Sequence, residues 1–254
     1  MVNMACRFLY ALLLALCVPN AFGDNHKVEA DRLLFMTADV WPWGYLEKDG
    51  TPAGLLSILA EQLAQEAQLK LDNRVLPPQR LLSKFKEGEA DFTVLFENPY
   101  LDGFADSLGV VLSADILLVT AKDYTGKLTL GALEGKRVGY ISGTYYGEAF
   151  EHNAEVIKIP VYSLEQAIEM LHLDRLDALI SSDVVFHHSL KALELQPDVF
   201  RYDVHTRGQA AHLYISKRAS NEGIAPRMQA ALASLDKSGE LRRLFYSEVR
   251  SGAQ

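Results

Sequence analysis

The sequence predicts an α/β protein built as two lobes, each a mostly parallel sheet flanked by helices. Three observations carry that expectation. Apolar strands and amphipathic helices alternate βαβαβ between residues 32 and 96, an order that specifies a parallel sheet with helices on both faces. The same alternation begins again at residue 137 and continues to about residue 204. Two further apolar runs, SADILLVTAK (113–122) and AHLYIS (211–216), lead out of the first unit and back again, as crossing strands would.

The first residues address compartment rather than fold. Arg7 precedes the apolar run Phe8–Val18, and Ala21-Phe22-Gly23 forms a small-x-small site, so a secretory signal with cleavage near Gly23 is expected. The rival reading, an uncleaved anchor, meets a run well short of the ~20 residues that span a bilayer. A lipoprotein signal at Leu14-Ala15-Leu16-Cys17 meets bulky Leu16 where a small residue is wanted. Cys6 and Cys17 both fall in the segment to be removed, so the expected periplasmic chain has no disulfide. Its remaining ~230 residues are held by apolar cores alone. Losing Arg7 and no acid moves the formal charge from −8 to −9. An acidic chain without basic clusters argues against nucleic acid and anionic membranes as partners.

The elements follow in order. Arg32–Thr37 reads as a strand, Asp39–Tyr45 (DVWPWGY) as an aromatic loop and Lys48-Asp49-Gly50 as a turn. A helix from Gly54 puts Leu55, Ile58, Leu59 and Leu63 on one face. Strand Lys70–Leu76 stops at Pro77-Pro78, Gln79-Arg80 open a helix ending before Gly88, and Asp91–Phe96 is a buried strand. In the second unit, strand Arg137–Ile141 leads through Ser142-Gly143-Thr144 into a helix from about Tyr145. Such a strand-turn-helix joint can hold an anionic group, because the first N–H groups of a helix lack partners and carry the positive dipole end. Strand Val156–Val161, a helix capped by Ser163 and Gln166, strand Asp177–Ser181, helix Asp183–Leu193 and a strand near Phe200–Val204 complete the unit. A helix from Glu222 to Asp236, the turn Lys237-Ser238-Gly239 and a short helix to about Tyr246 close the chain.

Taken in this order, Trp41-Pro42-Trp43, Asp49-Gly50, Gly54, Arg80 ahead of KEGEADF, GKRVGYISGT, RLDALISSD and LDKSGELRRLF resemble the bacterial extracellular solute-binding proteins of family 3, which include amino-acid receptors of ABC importers. The resemblance implies a type II periplasmic-binding-protein-like fold in which two crossing strands form a hinge and the ligand lies between the lobes. One lobe would comprise residues 24–115 and 213–254, the other 116–212. It also implies a small polar ligand, an amino acid or related amine or organic acid. The partner would be an inner-membrane ABC permease, or a sensory receptor without an import role. The expected protein is a monomer without cofactor.

Gly143 and Thr144 match the turn that, in this family, donates hydrogen bonds to an anionic part of the ligand, and Tyr145 replaces a small polar residue, either narrowing the pocket or stacking on a ring. Trp41 and Trp43 stand where a cleft is expected, to sandwich an apolar or cationic group or to fill the core. Arg80 opens a helix, where the dipole disfavours a cation. It either points into the cleft towards a carboxylate or pairs with Glu87 or Glu89. The family's Thr-x-x-Arg carboxylate clamp is missing; Glu97-Asn98-Pro99-Tyr100-Leu101-Asp102 stands in its place. In the second lobe Ser182 occupies the column of the acid that pairs with the ligand's ammonium, with Asp183 offset by one, either as that acid or as a helix N-cap.

Catalytic signatures are few. Gly139–Gly143 has the wrong spacing for a nucleophile elbow, and no phosphate-binding or dinucleotide loop occurs. His187-His188, ~100° apart on a helix, make no two-ligand face for a metal. Some family relatives are cyclohexadienyl dehydratases, and Glu97, Asp102 or Asp183 would be the candidate acids for such chemistry; a non-enzymatic binding protein is the expectation.

Overall fold

The computed structural model describes residues 32–219 and 223–246. The expected signal sequence, its cleavage site, both cysteines and Glu222 lie outside the described residues.

The first unit begins with β1 (Leu33–Ala38), a small hairpin of β2 (Tyr45–Leu46) and β3 (Pro52–Ala53), and α1 (Leu55–Ala67). β4 (Leu71–Leu76), α2 (Pro78–Glu87) and β5 (Phe92–Phe96) complete it. β4 and β5 flank β1, both parallel to it. The long strand β6 (Ala105–Ala121) leads to the second unit: β7 (Arg137–Ile141), α3 (Glu148–Glu151), β8 (Ile157–Val161), α4 (Leu164–His172), β9 (Ala178–Ser182) and α5 (Asp183–Ala192). There β8 and β9 flank β7, again in parallel. The chain returns along β10 (Phe200–Ser216) and ends in α6 (Ile224–Lys237) and α7 (Glu240–Tyr246).

All but the hairpin join one sheet in the order β4-β1-β5-β10-β6-β9-β7-β8. Read from either end, the order is second, first and third strand of a unit, then the two long strands. β10 closes the first half against β5, and β6 closes the second against β9, each antiparallel. The two-lobed α/β architecture with two crossing strands is thus present.

Several local features differ from the sequence reading. The strands expected near 200–204 and at 211–216 are one strand of 17 residues. The polar stretch between them, His205–Gln209, breaks the apolar pattern but not the pairing. Irregularities between Val204 and Thr206 and between Thr206 and Gln209 absorb it, and the Gly208 N–H donates to Asp115 Oδ1 at 2.8 Å. α2 starts at Pro78, whose fixed φ and missing N–H suit a first helical position. In α1 the buried face is Leu56, Leu59, Ala60, Leu63 and Ala67, whereas Ile58 is exposed. Residues 56, 59, 60, 63 and 67 share one face at 3.6 per turn, and position 58 lies ~200° from 56.

α3 shows the largest departure. It occupies only Glu148–Glu151, three residues later than expected. Tyr146 turns inward instead of starting the helix, and its hydroxyl accepts the Ile141 N–H at 3.3 Å. The expected cap of α4 is present: Ser163 Oγ accepts the Gln166 N–H at 3.2 Å. Gln166 Oε1 takes the N–H of Tyr162 at 2.9 Å, one residue earlier than a standard capping box.

The strand alternation sorts the core into faces. One face carries a cluster running through Phe35, Leu59, Phe92, Leu117, Leu179 and Phe186. On the opposite face the two halves have separate cores. In one, Met36 and Tyr214 pack against Leu81 and Phe85 of α2, and Ile116, Leu118, Val138, Tyr146 and Phe150 form the other.

At the entry of β7, Asp177 Oδ2 accepts both the main-chain N–H (2.7 Å) and the Nε (2.9 Å) of Arg137. These bonds, opposed by desolvation, hold the Asp177 carboxyl below the usual carboxylate range. A depressed carboxylate contributes stability above its unfolded pKa of ~3.9 and loses it as pH falls through the folded value. Asp177→Asn is therefore expected to lower Tm at pH 7, with the deficit shrinking as pH drops below about 4; an equal deficit at all pH values in thermal melts counts against this account.

Candidate functional site

The loops that follow β1 and β5 in one half converge with those that follow β7 and β9 in the other, at the carboxyl ends of the strands. Open α/β sheets place ligands there. Between them lies a cavity of about 80 Å³. A site for a single water needs ~10–15 Å³ on the same measure.

The sequence positions the walls locally. Gly54, with φ 102°, lets the main chain of the aromatic loop approach α1 so closely that an added Cβ would lie 2.8 Å from the carbonyl oxygens of Pro42 and Trp43. Those oxygens accept the N–H groups of Leu55 (3.0 Å) and Leu56 (2.8 Å). The N-terminus of α1 is thereby satisfied by the loop it holds. Trp43 is 8% exposed, packs 6.1 Å from the Phe245 ring and also lines the cavity. It serves both as core and as wall.

Across the cavity, Gly143 adopts φ 85°. A Cβ there would meet the main-chain N of Gln79 at 2.6 Å and the carbonyl carbon of Pro78 at 3.0 Å. The turn therefore sits directly on the start of α2. Gln79 Nε2 donates to Ser142 Oγ at 2.6 Å, a direct hydrogen bond between the two halves.

Of the residues singled out from sequence, Trp43, Gly143, Thr144, Tyr145 and Ser182 line this cavity together. Trp41, Arg80, Glu97 and Asp183 are not among its lining residues. Trp41 is 38% exposed with its ring 4.9 Å from that of Tyr45. Arg80 is exposed. On α2 the cavity-facing residues are Pro78 and Leu82, and two residues of helical rotation put position 80 on the far face. The Arg80 guanidinium makes no hydrogen bond or ion pair among the described residues; Glu89 pairs with Lys84, and the charge of Arg80 adds a smaller pull on the same carboxyl. Glu97 is exposed and lines a second, wetter cavity of about 610 Å³ with Asp102, Glu148 and Lys217.

Ser182, not Asp183, caps α5: its Oγ accepts the Val185 N–H at 3.4 Å. Asp183 Oδ1 accepts the Val184 N–H at 2.8 Å. Burial pushes the Asp183 carboxyl up; the Val184 bond opposes this and the charge of Asp115 reinforces it. A raised carboxyl costs folded-state stability above its folded pKa, and the cost disappears as pH falls towards the unfolded value of ~3.9. Asp183→Asn, which keeps an acceptor for Val184, is expected to raise Tm at pH 7 and to match the parent near pH 4. A lower Tm at pH 7 would show instead that the charge is compensated in the fold.

Two of the turn's N–H groups are already taken, that of Thr144 by the Ile141 carbonyl oxygen at 3.2 Å and that of Tyr146 by a side chain. α3 is a single turn, and Glu151 Oε1 already accepts the Tyr146 N–H at 3.2 Å. Thr144 hydrogen-bonds the Tyr146 hydroxyl, whose pKa burial drives upward. Tyr145 bridges the two cavities, and burial followed by the charges of Glu148 and Glu151 pushes its phenol up.

Residues that sequence reading did not single out also line it, among them Tyr146, Asn98, Leu56, Leu82, Val94 and Val185. Asn98 stood in the segment noted for its missing arginine. The apolar ones are indistinguishable from core residues by pattern, since they are the inward ends of buried strands and helices. Among the described residues no group of His, Cys, Asp and Glu is placed to hold a metal. Nor is any helix there long and apolar enough to cross a membrane.

No family model and no curated protein matches the sequence. Solved structures do match. An ancestral arginine-binding protein bound to arginine superposes with TM-score 0.72 at 18% identity, over 85% of this chain and 97% of that one. An amino acid ABC transporter substrate-binding protein from Streptococcus pneumoniae bound to L-arginine gives 0.70 at 18%, over 88% and 97%. A Salmonella typhimurium periplasmic binding protein of high arginine specificity gives 0.67 at 18%, over 85% and 97%. The chain has the two-lobed α/β fold found in the substrate-binding proteins of amino-acid ABC transporters.

Proposed function

We propose that the protein is a periplasmic solute-binding protein that closes its two lobes on a small ligand, an amino acid or a related amine or organic acid, and delivers it to an inner-membrane ABC permease. In this reading residues 24–115 with 213–254 form one lobe and 116–212 the other, with β6 and β10 as hinge, and the protein binds without turning its ligand over. The observation that carries it is the cavity itself, enclosed by strand-end loops from both halves and bridged by the Gln79–Ser142 hydrogen bond. Binding shifts an open-closed equilibrium only as far as the ligand prefers the closed form. The fold of the structural relatives supports the same reading.

The test is native mass spectrometry of the protein as purified, with a thermal-shift panel of amino acids, amines, organic acids and their neutral analogues, and small-angle scattering for closure. A retained or added small molecule that raises Tm and reduces the radius of gyration is the expected result. No bound mass, no stabilisation and no compaction would remove the support for solute capture.

A further inference from the structure

The lining of the cavity sets its ligand apart from the ionised amino acids, amines and organic acids named above and points to their neutral analogues. We infer that it takes an uncharged molecule with an apolar body, an aromatic ring or branched chain, and one carbonyl, amide or hydroxyl head. This rests on the reading of the cavity as the ligand site.

None of the described residues lining the cavity is an acid, a lysine, an arginine or a histidine. Apolar side chains face it from both halves: Trp43, Leu56 and Val94 on one side, Ile141, Tyr146 and Val185 on the other. The polar groups that remain are neutral. Asn98 Oδ1 is taken by the Tyr100 N–H at 3.0 Å, which leaves its amide N–H groups as donors. Ser182 Oγ already accepts the Val185 N–H, so its own O–H has a proton to give. Neutral donors of this kind suit a carbonyl or hydroxyl oxygen. They do not compensate a buried ion, whose desolvation without an opposite charge is the largest penalty a cavity of this kind imposes.

The ionisable candidates are turned elsewhere. Arg80 lies on the outer face of α2. Asp183 is bound to the Val184 N–H and opposed by Asp115, and Glu97 lines the second cavity. An α-amino acid entering this cavity would bring two charges with no partner for either. A site that pairs neutral groups rejects an ionised analogue of the same shape by a factor of at least about 100.

The experiment is calorimetric titration of the wild-type protein with shape-matched probes that differ in charge: benzamide, benzoate, benzylamine and phenylalanine, then isovaleramide, isovalerate and leucine, with arginine alongside. The expected result is binding of benzamide or isovaleramide, with the charged member of the same series weaker by at least about 100-fold. Ser182→Asp, which keeps a good N-cap and adds a carboxylate to the wall, should lose the amide and gain the amine of that series. Tighter binding of arginine, phenylalanine, leucine or either carboxylate than of the amides overturns the neutral-ligand inference while leaving solute capture standing. No binding by any probe, together with no retained mass in the purified protein, overturns both. An unchanged charge preference in a folded Ser182→Asp protein would show that the ligand lies elsewhere than against this wall.

Discussion

Gly143→Ala is expected to weaken ligand binding by roughly 10- to 100-fold and to lower stability by about 1–2 kcal/mol. The two effects have separate causes. Gly143 sits at φ 85°, and an L side chain in that region of backbone space costs ~1–2 kcal/mol in any state of the cleft. The added methyl would also meet main-chain N of Gln79 at 2.6 Å, Gln79 Cγ at 2.9 Å and Pro78 C at 3.0 Å. Two of those three atoms are backbone at the start of a helix and cannot rotate aside. Overpacking of this kind costs ~1–3 kcal/mol, and here only when the halves meet, so it converts to about one or two decades of affinity. Calorimetry with whichever ligand stabilises the wild type, together with urea unfolding, separates the terms. Unchanged affinity with reduced stability would show that closure does not bring the turn onto α2.

Trp43→Ala is expected to cost about 3–5 kcal/mol of unfolding free energy, the usual range for removing a large aromatic from a packed core. Trp43 belongs to the main apolar cluster, faces Phe245 of α7 and is enclosed to 8% exposure. Trp41, two residues away and 38% exposed, offers the internal control: Trp41→Ala should cost less than about 1 kcal/mol. Urea unfolding followed by circular dichroism reads both. Equal losses for the two variants would show that Trp43 is not the residue that anchors the aromatic loop to the core.

The repeated strand-helix alternation was legible because both signals are local: apolar runs for buried parallel strands and 3.6-residue periodicity for their helices. What escaped was set by tertiary pairing. His205–Gln209 reads as a polar break, yet its main chain pairs with β6 through bulges, and a ladder bond does not depend on side-chain polarity. Ile58 was as apolar as its neighbours, and only the packing of α1 against the sheet decided that Leu56 would be buried instead. The turn at Gly143 was found from its glycine and its place between strand and helix. The outward position of Arg80 followed from where α2 begins: with Pro78 as the first residue and Pro78 and Leu82 inward, rotation alone carries Arg80 away. The missing family arginine was visible in the sequence. That the cavity beside Asn98 would be lined by apolar side chains from both halves was not, because those side chains come from segments far apart in the chain.

The exchange of the two long strands bears on how the molecule comes apart. β10 is hydrogen-bonded to β5 and to β6, and β6 to β9, so neither half of the sheet has an edge strand of its own at the junction. Melting one half strips a ladder from the other. The main apolar cluster also runs along the same face through both halves. Heating is therefore expected to give one calorimetric transition, with van't Hoff and calorimetric enthalpies in agreement, from a molecule whose proposed function requires its halves to move as separate bodies.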